Sequence, residues 1–178
     1  LRAEAAALRC EDLDVEVRHG SATDVVDDDG FDLVLCVGVL EYAGHEPDRF
    51  LAHLAALVRP GGALVVAIEN RFGLAYWLQA DEDHLGLPFV GLEGYPPVAA
   101  TGATATVRTF SRPELAGHLT AAGLTAQRWY QPFPDYKLPT TVLTDRCFNQ
   151  PDAVDLVDQL VGPPIDRSRM GGHVAADE

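Results

Sequence analysis

The run Phe31-Asp32-Leu33-Val34-Leu35-Cys36-Val37-Gly38-Val39-Leu40-Glu41-Tyr42 constrains this chain more than any other stretch. It is too apolar for a strand with one face in water. It suits a parallel strand covered by helices on both faces. A second apolar run over residues 63–68 follows Arg59-Pro60-Gly61-Gly62 and ends in Glu69-Asn70. Between the two, Phe50, Leu51, Leu54, Leu57 and Val58 recur at helical spacing, and Pro47 and Asp48 suit a first turn. The spacing predicts a helix over residues 47–58, stopped by Pro60-Gly61-Gly62. Strand, helix, strand in that order is a right-handed crossover unit. Polar residues at the strand ends are where an open α/β sheet places its ligand.

The flanking sequence extends this unit. Residues 1–10 are rich in alanine and suit a helix, and residues 15–18 alternate as a short strand. His19-Gly20-Ser21-Ala22 and an acidic turn over residues 24–29 lead into the strand at 31–37. Residues 71–108 show no clear period, yet Phe72, Tyr76, Trp77, Phe89 and Tyr95 make them too aromatic for a linker. A partly helical lid is expected there, with a turn or two in residues 73–79. Ser111-Arg112-Pro113-Glu114 fits a capping box, opening a helix that buries Leu115 and Leu119 and ends at Gly123. Residues 124–130 and 138–144 read as strands joined by Gln131-Pro132-Phe133-Pro134-Asp135-Tyr136-Lys137; residues 132–137 read as a rigid hairpin turn in preference to a border of a ligand pocket. A helix over residues 151–161 and a tail follow. The division expected is a domain over residues 1–145, with the lid as an insertion, and a C-terminal helix and tail over 146–178.

Composition removes several function classes. With 13 basic against 27 acidic residues the formal charge is −14. A broad nucleic-acid contact needs clustered lysine and arginine and is therefore not expected. No apolar stretch reaches the length of a membrane span. Cys10, Cys36 and Cys147 match neither a disulfide framework nor a zinc pattern, and a reducing cytoplasm is the expected compartment.

These segments resemble the class I S-adenosylmethionine-dependent methyltransferases. The likeness is carried by Phe31-Asp32-Leu33-Val34, Gly38-Val39-Leu40-Glu41-Tyr42, Val58-Arg59-Pro60-Gly61-Gly62, Thr109-Phe110-Ser111-Arg112-Pro113-Glu114-Leu115 and Ala121-Ala122-Gly123-Leu124. Residues 69–95 with 132–145 are similar to a bacterial subgroup associated with cell-surface glycan synthesis. The resemblance implies a Rossmann-like methyltransferase fold: an α/β domain with a mostly parallel sheet and a C-terminal antiparallel hairpin strand. It also implies S-adenosylmethionine as cofactor and methyl transfer to an oxygen or nitrogen of a small-molecule or glycan acceptor. The family's glycine-rich cofactor loop, and the acidic residue that holds the ribose, have no counterpart in the 178 residues. The expectation is therefore a domain without its first β-α-β portion, with weak cofactor binding, an unpaired edge on the strand at 31–37, and self-association through that edge. The rival reading is a non-catalytic methyltransferase-like interaction or structural module; a dehydrogenase of Rossmann type fits poorly.

Site residues follow from the same alignment of features. By resemblance Gly20, Ser21 and Ala22 contact the adenine, and Val37, Gly38 and Val39 line the cofactor cavity; the plainer alternatives are a strand-to-helix turn and a packing glycine. Glu41 orients a substrate hydroxyl or amine, or else caps a helix. His84, within Asp81-Glu82-Asp83-His84, is the candidate general base, since imidazole titrates near neutrality and a neighbouring carboxylate can set its tautomer; the alternative is a solvated acidic turn. Glu69, Asn70, Trp77 and Tyr95 are expected to face the acceptor. Glu41, Glu69 and Asn70 also have the oxygen chemistry of a magnesium site, but the reading adopted assigns no metal. Cys36 is read as a buried small hydrophobe.

Overall fold

The computed structural model describes residues 2–96 and 107–155. Its centre is a parallel pair of strands, β1 (Phe31–Val37) and β2 (Val58–Ala67), joined by helix α2 (Pro47–Ala56). Leu35 lies opposite Val65 and Cys36 opposite Val66. This is the crossover expected from the two apolar runs, in a mixed α/β architecture of Rossmann-like type. Helix α1 (Arg2–Arg9) precedes it. After it come the short helix α3 (Leu74–Trp77) and helix α4 (Arg112–Ala121). An antiparallel hairpin of β3 (Tyr130–Phe133) and β4 (Thr141–Thr144) follows, then a short helix α5 (Asp145–Phe148).

The core lies on one face of the β1–β2 pair. Leu51 and Leu54 of α2, Cys36 of β1, Leu115 of α4, and Leu40, Leu57 and Phe110 form a single buried cluster. Val34, Leu64, Val66 and Ile68 pack against it from the same face of the sheet. Each fully buried leucine contributes about 1.5–3 kcal/mol through area removed from water. Ser111 and Glu114 form the expected capping box at the start of α4, and Gly123, at φ +83°, ends it. The opposite face is apolar and open: Leu33, Leu35, Val37 and Val65 are all exposed.

Several boundaries differ from the sequence reading. Helix α2 stops at Ala56 and β2 begins at Val58, because Phe31 N donates to Leu57 O and Val58 pairs with Phe31. The ladder then skips Arg59-Pro60-Gly61-Gly62 and resumes at Ala63 opposite Leu33. Gly62 is required there, since a Cβ would come within 2.8 Å of Asp32 O and 2.9 Å of Phe31 O. Residues 15–18 form no strand; no partner strand stands beside them among the described residues, and Glu16 and Arg18 pair with each other instead. Residues 124–129 are likewise not a strand. Gln127 Nε2 bonds the Ala116 and Leu124 carbonyls and Thr120 Oγ1, folding this stretch back on the end of α4. The hairpin is thus shorter than expected, and its sheet is separate from β1–β2. Among the described residues β1 pairs with β2 alone, so its other edge carries no ladder. No described helix is long and apolar enough to cross a membrane. Most of the expected helix over 151–161, and the tail, lie outside the described residues, as do residues 97–106 of the expected lid.

Candidate active site

Both parallel strands end at one cleft of about 330 Å³. Val37 and Gly38 form its edge at the end of β1, Glu41 and Tyr42 follow in a single 3₁₀ turn, and Glu69 comes from just beyond β2. Asp83 and His84 supply a second wall and Tyr136 and Lys137, from the β3–β4 connection, a third. Gly38 has φ +63°, a conformation side chains resist, and a Cβ on it would lie 3.0 Å from Tyr136 Oη and 3.7 Å from Glu41 Oε1. The backbone at Gly38 therefore lets the tyrosine hydroxyl approach closely.

Three carboxylates and one ammonium line the cleft. Glu41 is 5% exposed, and its Oε2 is buried with no hydrogen-bond partner. Glu69 is fully engaged: Tyr76 Oη donates to Oε2 at 2.5 Å and Lys137 Nζ to Oε1 at 3.0 Å. Burial works to raise the Glu69 carboxyl, but the Tyr76 hydroxyl, a hydrogen bond with Asp83 and Lys137 outweigh it and hold it below the usual carboxylate range. The hydrogen bond to Glu69 in turn raises the Lys137 ammonium against its partial burial. Lys137 Nζ also lies 3.5 Å from Asp83 Oδ2. Burial first, and Glu41 second, push the Cys36 thiol up to about 11, which keeps it a protonated core group.

His84 is aimed by its loop. Glu82, 1% exposed, accepts from the backbone N–H groups of His84 and Leu85 at 2.9 and 2.8 Å and from Tyr95 Oη at 3.1 Å. The imidazole stands edge-on to the Tyr42 ring, with centroids 5.3 Å apart, and its Nδ1 is 3.5 Å from Tyr42 Oη. The expected carboxylate beside His84 is thus a buried loop anchor and not a partner of the ring, because two backbone donors and a tyrosine occupy it.

The structure brings Val37, Gly38, Glu41, Glu69 and His84 together and leaves the other candidates out of the cleft. Ser21 caps the 3₁₀ turn Ala22–Asp24, and Ala22 O lies 3.1 Å from His53 Nε2, so Gly20, Ser21 and Ala22 stand apart. Val39 is exposed beside the cleft without lining it. Asn70 bridges to Phe110, and its Oδ1 accepts from Phe72 N at 2.9 Å, so it does not converge with Glu41 and Glu69. Trp77 is 61% exposed. Tyr95 is buried, 2.7 Å from Thr109 Oγ1, where its hydroxyl ties Glu82 to the strand-like chain before α4. Neither Trp77 nor Tyr95 lines the cleft in this geometry, and the aromatic-rich segment uses Tyr95 for its own small core. Among the described residues no group of three or more histidine, cysteine or acidic side chains is placed to hold a metal ion. For Tyr136 and Lys137 the sequence reading preferred a rigid hairpin turn to a border of the acceptor pocket, and the structure places both on the cleft wall. Two prolines signalled a rigid turn there, and nothing local tells that the turn lies across the strand ends.

Residues 2–66 match the family model of a methyltransferase domain. The match takes in β1 and α2 and nearly all of β2, and with them Val37, Gly38 and Glu41. Over 68 residues the chain is 38% identical to a ubiquinone biosynthesis O-methyltransferase of the bacterium Maricaulis maris (strain MCS10). That alignment covers 37% of this chain and 26% of the relative, so the chain spans about a quarter of the length of that curated methyltransferase. No solved structure matches.

Proposed function

We propose that this methyltransferase domain transfers a methyl group from S-adenosylmethionine to an oxygen or nitrogen of a small-molecule or glycan acceptor, and that the reaction takes place at the strand-end cleft. The observation that carries the reading is the convergence of Val37, Gly38, Glu41, Glu69 and His84 beyond the carboxyl ends of two parallel strands, the position at which open α/β sheets take their ligands. The O-methyltransferase relative supports an oxygen acceptor first.

In this reading only the sulfonium end of the cofactor lies in the cleft, on the side of Val37 and Gly38. Val37 and Gly38 offer backbone that a ligand can approach, and the Glu41 carboxylate complements a cationic group. Gly20, Ser21 and Ala22 do not reach it, so in this reading they are not part of the adenine site. When bound, S-adenosylmethionine supplies an electrophilic methyl on a sulfonium. The chain's own residues do the rest. Glu41 accepts a hydrogen bond from the acceptor's O–H or N–H through its carboxylate, fixing the nucleophile. His84 takes the proton that the acceptor loses as its new bond to carbon forms. Tyr42, Tyr136 and the Lys137–Glu69 pair wall the nucleophile off from bulk water. Alignment of nucleophile, methyl carbon and sulfur provides much of the rate.

The test is transfer of labelled methyl from S-adenosylmethionine to a panel of hydroxylated, amine and glycan acceptors. His84→Ala is expected to lower kcat by about 10²–10⁴-fold with a smaller change in KM. An unchanged kcat across pH removes His84 as base, and absence of transfer to any acceptor by a longer form that binds S-adenosylmethionine removes the catalytic reading. A second reading has its own observation. The open apolar face at Leu33, Leu35, Val37 and Val65 suits a non-catalytic methyltransferase-like interaction module, and inactivity combined with a saturable partner on that face is its signature.

A further inference from the structure

A second cleft of about 270 Å³ shares no residue with the strand-end cleft. Gly44, His45 and Asp48 line it from the start of α2, Arg108 and Phe110 from the chain before α4, and His118 from α4 itself. Arg108 is its dominant charge. The guanidinium carbon sits 5.7 Å from the centroid of Tyr95 and 5.6 Å from that of Phe110, and Arg108 N donates to Glu41 O at 3.1 Å. Rings and backbone therefore hold this arginine without any carboxylate: no ion pair joins it to an acidic group among the described residues. Its Nε is buried and has no hydrogen-bond partner. Asp48 is the one carboxylate on the wall of this cleft, and it is spoken for, with its Oδ1 2.6 Å from His118 Nδ1. The His118 ring is itself braced edge-on by Phe110, at 5.0 Å between centroids. His45 is exposed at the rim.

We propose that this cleft binds the phosphate monoester group of a small ligand, with Arg108 as the planar fork and His45 and His118 beside it. A guanidinium is always charged, and its parallel N–H groups match an oxyanion better than an ammonium does. Nε itself is buried, so the terminal amino groups of the guanidinium present the fork to the ligand. A dianion is favoured over a carboxylate because the guanidinium of Arg108 has no acidic partner and the cleft's one acid, Asp48, is already bonded to His118. The formal charge of −14 opposes any anion at long range, so the affinity is modest, with a Kd on the order of 1 mM. This site does not depend on the methyl-transfer reading.

The experiment is a ³¹P NMR titration of the full chain with inorganic phosphate and then glycerol phosphate, beside an acetate titration followed by amide shifts. Saturable phosphate binding is expected, weakened about tenfold or more by Arg108→Met, which is one decade of Kd, and unchanged by the exposed control Arg128→Met. If Arg108→Met melts differently from the parent, His45→Gln on the rim carries the comparison, with an expected loss of about threefold in Kd. Absence of saturation, equal binding by the folded variants, or acetate binding as tight as phosphate overturns the assignment.

Discussion

The two faces of the β1–β2 pair are equally apolar in sequence and unlike in structure. On one, Cys36 is 3% exposed, and Val34, Leu64, Val66 and Ile68 pack on α2 and α4. On the other, Leu35 is 62% exposed beside Leu33, Val37 and Val65. An apolar run thus reports the environment a strand is made for, whereas burial depends on which helices are there to cover it. The described residues cover one side. The difference also explains why the strand-end cleft is defined: Glu41 follows from the covered side's Leu40, one of the most deeply buried residues, so the turn that presents it is anchored.

Substitutions should separate the faces sharply. Leu51→Ala, in the covered core, is expected to lower unfolding free energy by about 2–5 kcal/mol. Leu35→Ala, on the open face, should stay within about 0.5 kcal/mol. Chemical denaturation measures both, and equal losses would show that the open face is covered in solution. The same contrast can be sharpened by light scattering. Replacing Leu35 with Glu should reduce concentration-dependent association, because an apolar face beside an unpaired strand edge is a template for self-pairing. A monodisperse parent, unaffected by the substitution, contradicts that picture.

A smaller effect belongs to the covered side, where charges as well as leucines are fixed. Arg71 Nε and Nη2 grip Glu114 at 2.7 and 3.2 Å, joining the chain after β2 to the start of α4. Burial tends to raise the Glu114 carboxyl, but Arg71 and Ser111 outweigh it and bring it from 4.5 to about 2. A depressed carboxylate stabilises the fold above its unfolded value and loses that contribution as pH falls through the folded one. Stability should therefore decline between pH 4.5 and about 2 more steeply in the parent than in Glu114→Gln. Parallel acid limbs in thermal melts taken across that range would remove the role given to this pair.

The crossover was legible because its signals are local and redundant: two apolar runs, a helical stripe between them, and Pro60-Gly61-Gly62 as punctuation. The Ser111–Glu114 cap was legible for the same reason. Residues 15–18 and 124–129 misled because alternation specifies a strand only if a partner edge exists, and Gln127 found the end of α4 instead. In the cleft, Glu41 and Glu69 could be placed from the strand ends, and Val37 and Gly38 by resemblance. Tyr95 could not be, since an aromatic in a segment without period carries no direction, and its place was decided by Glu82 and Thr109. Tyr136 and Lys137 reach the site from 98 and 68 residues beyond Gly38 and Glu69, a juxtaposition no local pattern encodes.

Amide NMR during titration with S-adenosylhomocysteine tests the strand-end cleft most directly. With no glycine-rich loop in the 178 residues, binding is expected to be weak, with Kd on the order of 1 mM. The shifts should concentrate at Val37, Gly38, Glu41, His84, Tyr136 and Lys137, and be lost in Glu41→Gln. Saturable shifts confined to Gly20, Ser21 and Ala22 or to the open sheet face, with the cleft silent, would contradict it.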